Sequence, residues 1–413
     1  VDASQRSDGP LTKSKTNRRM PRPAPPGPWK AARGAVTAAY VAQGLGYAVV
    51  VTSLPALKAR QQVDDMTVSL IVLGVAIMAA GGSLVANAVA VRFGSRAALT
   101  LGLAIQAIAL PVIAVPAPFG VFVAAWAVFG VGLGCVDASA AMQGVAVQRA
   151  YGRPVLGGFF AAATAAAIVG ALLVSAVAAS AFAAGIALAC AAVVALAAAV
   201  IVARFSARET PVDEALPPAE RTRLPRAGIW VFGLVVLAIF VADSAVSTWS
   251  TVYLQDDLFA VAWVAPLGYA AYQAVVLVTR LVTDRLLSVV DRRRIVAVAA
   301  SVSAVGCALV AFVPVPGVAV AGFALAGVSA GVLIPVTFGA AGELDPAHSD
   351  QVIARVNLFN YAGAILGAVV LGLLADAPGL GPAFLLPAVA LAAILFAVPR
   401  FRAASRGAPA AAR

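Results

Sequence analysis

Runs of about twenty apolar residues, separated by short breaks, repeat from Ala31 almost to the end of this chain and leave it one kind of solvent to fold in. A helix rises about 1.5 Å per residue and the hydrocarbon core of a bilayer is about 30 Å thick, so about 20 residues cross it once. No water is available there to bond backbone groups, so each run crosses as a helix that satisfies its own N–H and C=O groups. The runs lie at about 31–57, 66–91, 96–115, 119–148, 154–178, 181–203, 228–254, 261–289, 294–313, 317–341, 351–375 and 379–399. They predict an all-α polytopic membrane protein of twelve transmembrane helices. Of 413 residues 62% are hydrophobic and 11% charged, against roughly 25% charged in a soluble domain. Twelve spans nearly fill this length, so no separate catalytic domain is expected.

Breaks between the runs fall at Pro116 and Pro118, Gly152 and Pro154, Pro314 and Pro316, and Pro378 with Gly379, because proline lacks a donor and glycine relaxes the backbone. Residues 1–30 are polar, basic and proline-rich, a composition that cannot bury a core, and are expected to be a disordered tail with no cleaved signal peptide in it. Residues 31–203 and 228–399 then form two sets of six helices. Between them 204–227 is a solvated linker, and 400–413 is a second tail. All but Lys58 and Arg60 of the 29 Lys and Arg fall on one side of this topology. The positive-inside bias makes that side cytoplasmic, with both termini on it, in a bacterial inner membrane. The same placement explains the net charge of +11 without nucleic acid, since no basic stripe interleaved with aromatics exists. Cys135, Cys190 and Cys307 lie far apart inside apolar runs and read as small apolar fillers, with no metal site and no cofactor expected.

The two sets of helices are related. Gly130, Gly134 and Gly170 recur 197 positions later as Gly327, Gly331 and Gly367, and AVFGVGLG matches ALAGVSAG. The loop after the second helix, VRFGSR, corresponds to TDRLLSVVDRRR after the eighth. In these loops the chain resembles the major facilitator superfamily, whose motif runs Gly-x-x-x-Asp-Arg-x-Gly-Arg-Arg. The first copy keeps Arg92, Gly94 and Arg96 but has Val91 for the aspartate, while the second keeps Asp284 and Arg285. The resemblance implies two pseudo-symmetric six-helix halves around a central path. It also implies a gating role for Arg92, Arg96, Asp284 and Arg285, which in the family latch helix ends when the carrier is outward-open, here with the acid moved to the second copy. TSLPALKAR, DASAAMQGVAVQRAYGRPVLGGF and STWSTVYLQDDL are similar to a poorly characterised bacterial permease subgroup. In that subgroup helix seven has a glutamate at the position of Asp243 and an aspartate at that of Thr248.

An ionised side chain at mid-bilayer costs at least roughly 2.5–3.5 kcal/mol, so an acid retained there is a candidate for function. Asp137 in helix four and Asp243 in helix seven both qualify. Arg280 and Arg355 lie nearer the cytoplasmic ends and can snorkel, which leaves neither acid an obvious cationic partner. A carboxyl buried in that way can take up a proton near neutrality, as a proton-coupling site must. Capping a broken helix or bonding Ser139, Ser244 or Ser247 is the alternative role for either acid.

In such a fold the solute cavity lies between the halves near the midplane. Its candidate lining residues are Tyr40, Gln43 and Tyr47 in helix one, Gln143 in helix four, and Trp249 and Tyr253 in helix seven. Helix eight adds Tyr269, Tyr272 and Gln273, and helix eleven adds Asn357, Asn360 and Tyr361. Unsatisfied polar groups facing lipid cost several kcal/mol, so these face protein or a wet cavity. Glycines such as Gly130, Gly132 and Gly134 let helices pack closely and rock. No phosphate-binding Gly-x-x-x-x-Gly-Lys-Ser/Thr loop occurs, and His348 lies in a polar loop, which argues against ATP hydrolysis and against a Ser–His–Asp hydrolase.

The expectation is a monomeric secondary transporter, not an enzyme, that moves a small organic solute by alternating access with protons and lipid as its other partners. Export is favoured because the cavity has apolar walls and no fixed deep cation for an anionic nutrient. Helix five lacks the internal proline of an antiporter signature, so uptake of a neutral or sugar-like solute stays open. So does a sensor that keeps the transporter fold without transporting. Proton flux across proteoliposomes separates transport from sensing.

Overall fold

The computed structural model describes residues 27–153, 155–180, 182–207, 224–345 and 348–401, with every regular element among them helical. Eleven helices are long and apolar enough to cross a membrane: Gly27–Thr52, Asp65–Phe93, Ser95–Ala114, Phe119–Tyr151, Leu156–Val177, Ala183–Phe205, Arg226–Asp257, Ala265–Val289, Arg292–Phe312, Pro316–Gly342 and Gln351–Leu373. A pair bent by 48°, Ala375–Ala383 with Leu385–Arg400, makes the twelfth. The helix restarts after Gly379, whose φ of 109° suits a residue without a Cβ.

The first span differs from the sequence expectation at both ends, and the eighth begins at Ala265 and not 261. The first span begins at Gly27 and not Ala31, with Pro28 in its first turn, where a missing N–H removes no helical bond. It ends at Thr52, and a separate short helix, Leu54–Gln61, follows with Pro55 near its start. Lys58, Arg60 and Gln61 make that short helix polar, and Ser53 joins it to the span with a right-handed helical backbone. The rest of the expected N-terminal tail, most of the linker and most of the C-terminal tail fall outside the described residues.

The related glycines show how the halves are built. A Cβ on Gly130 or Gly134 of the fourth span would meet the carbonyls of Val75 and Ala79 on the second. A Cβ on Gly327 or Gly331 of the tenth would meet the carbonyls of Tyr272 and Val276 on the eighth. Glycines and carbonyls alike are 197 positions apart, so one helix-on-helix contact is used twice. Likewise Gly170 packs on the first span at Leu45, and Gly367 on the seventh at Val241. Gly134→Ala is therefore expected to lower the unfolding midpoint of the purified protein, since overpacking costs about 1–3 kcal/mol. Gly81→Ala, where the added methyl meets nothing within 4 Å, is expected to leave the midpoint unchanged or raise it slightly.

One apolar cluster runs through both halves, joining Val49, Val68 and Phe122 to Val246, Trp249 and Tyr253. A second, with Val36, Leu99, Val147 and Val202, belongs to the first half alone, near the end where the first span begins. That end also carries Arg92, Arg149 and Arg292 and is called the basic face below; the end with Lys58 and Arg60 is the distal face. Among the described residues three hydrogen bonds cross between the halves. Lys58 Nζ donates to Asp256 Oδ2 at 2.8 Å, and Ser175 Oγ to the Trp263 carbonyl at 2.6 Å. The third, Arg280 Nη1 to Thr164 Oγ1, is long at 3.5 Å. The first two lie on the distal face and the third near mid-depth, so the described bonds hold the halves together distally.

Candidate functional site

Helical spacing gathers a polar site at the middle of the bundle. Residues at i, i+3, i+4 and i+7 share one face of a helix. Tyr40, Gln43, Gly44 and Tyr47 form such a stripe on the first span, and Phe160, Ala163, Thr164 and Ala167 form another on the fifth. Pairs at i, i+4 add Leu133 with Asp137 on the fourth span, Asp243 with Ser247 on the seventh, and Tyr269 with Gln273 on the eighth. Together they line one cavity of about 280 Å³ with walls from both halves. Gly44 sets the distance between the first and fifth spans, because a Cβ there would collide with the Ala163 carbonyl.

Each acid has its own surroundings. Asp137 is exposed to the cavity, and its Oδ1 accepts from Gln43 Nε2 at 2.8 Å. Gln43 is oriented by Gln106, whose Nε2 donates to Gln43 Oε1 at 2.7 Å, while Gln43 Nε2 also reaches the Leu133 carbonyl at 3.3 Å. Asp243 is half-buried, and its Oδ1 accepts from the Tyr272 hydroxyl at 2.6 Å. The Arg280 guanidinium acts electrostatically on Asp243. Arg280 therefore does not simply snorkel away, as its depth in the sequence suggests. Ser247 lies within reach of the hydroxyls of Tyr47 and Tyr269, and Gln273 Nε2 donates to Tyr269 at 2.6 Å.

Of the residues singled out from sequence, Asp137, Asp243, Tyr40, Gln43, Tyr47, Tyr269 and Gln273 line this cavity, and Tyr272 touches it through Asp243. Others are engaged elsewhere. Gln143 is buried, donating to Ser95 Oγ at 2.8 Å and accepting from Ser206 Oγ at 2.8 Å. Trp249 Nε1 donates to the Ala368 carbonyl at 2.7 Å, which ties the seventh span to the eleventh. The Tyr253 hydroxyl donates to the Val310 carbonyl at 3.1 Å. Asn357, Asn360 and Tyr361 are not among the lining residues, and Tyr361 is 59% exposed. Phe160, Thr164 and Gln106 were not anticipated; Thr164 stands in a run of alanines that shows no polar stripe like that of the first span.

The gating candidates lie at the basic face. Arg92 and Arg285 are exposed and Arg96 half-buried, with no ion pair among the described residues. The side chain of Asp284 lies outside what is described. His348 sits 3.0 Å from Asp345. An ion-pair cluster not anticipated from sequence occupies the distal face. Lys58 Nζ lies 2.6 Å from Asp65 Oδ1 in its own half and 2.8 Å from Asp256 Oδ2 in the other. Burial works against the lysine charge, but the bonds to Asp256 and Asp65 outweigh it and hold its pKa above the ordinary value. The pair's contribution is thus complete below the free lysine value and fades only as pH rises through the raised one. Beside it Arg60 donates to the Ala114 and Ile113 carbonyls at 2.6 and 2.5 Å, capping the third span.

The sequence profile of the Major Facilitator Superfamily matches residues 36–287 and 260–412. An uncharacterized MFS-type transporter of Yersinia pestis is 25% identical over 352 residues, covering 84% of this chain and 89% of that protein. The membrane protein MosC of Rhizobium meliloti is 29% identical over 155 residues, or 38% of each chain. Among solved structures, a variant of the nucleoside transporter NupG superposes with a TM-score of 0.73 at 13% identity, over 90% of this chain and 99% of that one. The xylose transporter XylE from E. coli, inward open, gives 0.67 at 15% identity, over 92% and 97%. At these identities the likeness is one of fold.

Proposed function

The chain belongs to the major facilitator superfamily, and on that premise we propose that it is a proton-coupled secondary transporter that exports a small organic solute by alternating access. The reading rests on one observation: carboxyls from opposite halves, Asp137 and Asp243, open onto the same cavity. Rocking of the halves changes which face that cavity meets, and gain or loss of a proton at either acid changes the charge the cavity must hold in low dielectric. With the basic face in the cytoplasm, the distal contacts of Lys58 and Ser175 support the reading of a carrier shut to the outside. Arg92, Arg96, Asp284 and Arg285 would then engage only in the opposite state.

Within the site, the Tyr272 hydroxyl bonds Asp243, and the Arg280 guanidinium acts on the same carboxylate through space. Protonation of Asp243 would remove the charge that acts on Arg280, which reaches Thr164 Oγ1 of the other half at 3.5 Å. Tyr40, Gln43, Tyr47 and Gln273 are the solute contacts on this reading, with Leu133, Phe160 and Ala167 as apolar wall. The amides of Gln43 and Gln273 beside ring faces also suit a neutral polyol, which favours uptake of a sugar-like solute as the second reading. Proteoliposomes under an imposed pH gradient test the proposal. Solute-dependent proton movement is expected, and proton movement indifferent to every solute offered would refute coupling.

A further inference from the structure

The charges around the cavity do not balance. Asp137 and Asp243 both line it, and the guanidinium that bears on them, Arg280, acts on Asp243. Among the described residues the groups bearing on Asp137 are Gln43, Tyr40 and Tyr47, all neutral. Gln106 holds Gln43 so that it offers Asp137 a single N–H, which solvates one carboxylate oxygen and brings no positive charge. A carboxylate kept at that depth without a counter-ion is costly. Around it stand the rings of Tyr40, Tyr47, Phe160 and Tyr269, with Tyr40 and Phe160 edge to face at 5.4 Å between centroids. Ring faces attract cations, the more strongly when water is excluded.

Resting on the reading of this cavity as the solute site, we propose that the solute is a small organic amine, bound as its ammonium ion by Asp137 within the aromatic wall. Its positive charge supplies what the protein leaves out. Thr164, Ser247 and Gln273 remain to bond the rest of the molecule. A volume of about 280 Å³ lies just below the usual range of roughly 300–1,000 Å³ for drug-sized ligands, so the amine is small. An anionic solute would meet like charge, and a neutral one would leave compensation of Asp137 to the proton alone. Ammonium ion and proton cannot both neutralise the same carboxylate, so this site exchanges one for the other, the logic of export against an inward proton gradient.

The test uses matched probes on the full-length protein in nanodiscs: benzylamine against benzyl alcohol, putrescine against 1,4-butanediol, and glucosamine against glucose. In at least one pair the amine is expected to bind about tenfold or more tighter than its neutral mate, the worth of one charge-assisted hydrogen bond. That preference is expected to collapse in Asp137→Asn and to weaken in the wild type as pH falls. Should the asparagine variant fail to fold, labelling of wild-type Asp137 by a hydrophobic carbodiimide gives a second measurement, with protection expected from the amine and none from the alcohol. If no amine outbinds its neutral mate, or the preference survives Asp137→Asn, the proposal is overturned. Binding and proton flux fail separately. A neutral solute that drives flux ends the amine assignment and leaves coupled transport standing, whereas amine-selective binding without flux ends the transport reading alone.

Discussion

Replacing Asp243 by asparagine is expected to cut pH-gradient-driven transport roughly a hundredfold while leaving the protein folded. The size follows from the charge removed. Holding an ionised side chain at mid-membrane costs at least about 2.5–3.5 kcal/mol, and each 1.4 kcal/mol is about a factor of ten. A carrier that no longer alternates between charged and neutral forms loses that difference as its driving step. The fold is expected to survive because an amide oxygen can still accept from the Tyr272 hydroxyl, now 2.6 Å from the carboxylate. Solute exchange at equal pH is expected to persist in Asp243→Asn, since it needs the two access states and no net proton movement. Pyranine fluorescence in proteoliposomes measures the first quantity and labelled-solute counterflow the second. Loss of both with an unchanged melting curve would place Asp243 in solute binding rather than in coupling.

The second large effect is expected at the distal face. Lys58→Glu turns the pair with Asp65 and Asp256 into a cluster of like charges between the first half and the second. The contacts it replaces, at 2.6 and 2.8 Å, involve side chains with 17% exposure on the lysine and 17% and 35% on the two acids. Partial screening places the shift at about 1–2 kcal/mol, or about five- to thirtyfold in the balance between access states. A cysteine placed at Ala178, which lines the distal cavity of about 480 Å³ together with Gln255 and Pro266 of the other half, reports the change by maleimide labelling. Labelling is expected to speed up in the charge-reversed protein and to return towards the starting rate when Asp256→Lys is added. Equal rates in all three backgrounds would mean that the ion pair decorates a face held shut by packing alone.

How much of this was legible in the sequence varies with the kind of force involved. Spans and breaks were legible because hydrocarbon thickness fixes the length of a crossing helix whatever it packs against. The relation of the halves was legible in Gly130, Gly134 and Gly170 because each must accept a neighbouring backbone, and the second half repeats the demand at Gly327, Gly331 and Gly367. Orientation of polar side chains within a span was far less so. These helices are apolar nearly all round, so periodicity does not separate the cavity side from a helix contact. Tyr47 and Tyr253 read alike as phenols in long apolar helices, yet one lines the cavity and the other bonds the Val310 carbonyl. Gln43 and Gln143 differ in the same way. Arg280 shows the limit of depth as a guide, since its distance from the helix end permits snorkelling while its guanidinium reaches Thr164 Oγ1 of the other half at 3.5 Å. The short helix Leu54–Gln61 was hidden because Leu54 and Leu57 are as apolar as the span before it. What ends the span is a single proline and the distal charges that follow.

The central claim is that protonation of two cavity acids changes which face of the bundle is open. Spin labels on Ala178→Cys and Ala262→Cys, one in each half at the distal cavity, measure it directly by electron–electron resonance distances in nanodiscs at alkaline and acid pH. The account predicts a distance distribution that shifts with pH in the wild-type background and stays fixed when Asp137→Asn and Asp243→Asn are combined. A distribution that ignores pH in the wild type, or follows it equally well without the two acids, would contradict it.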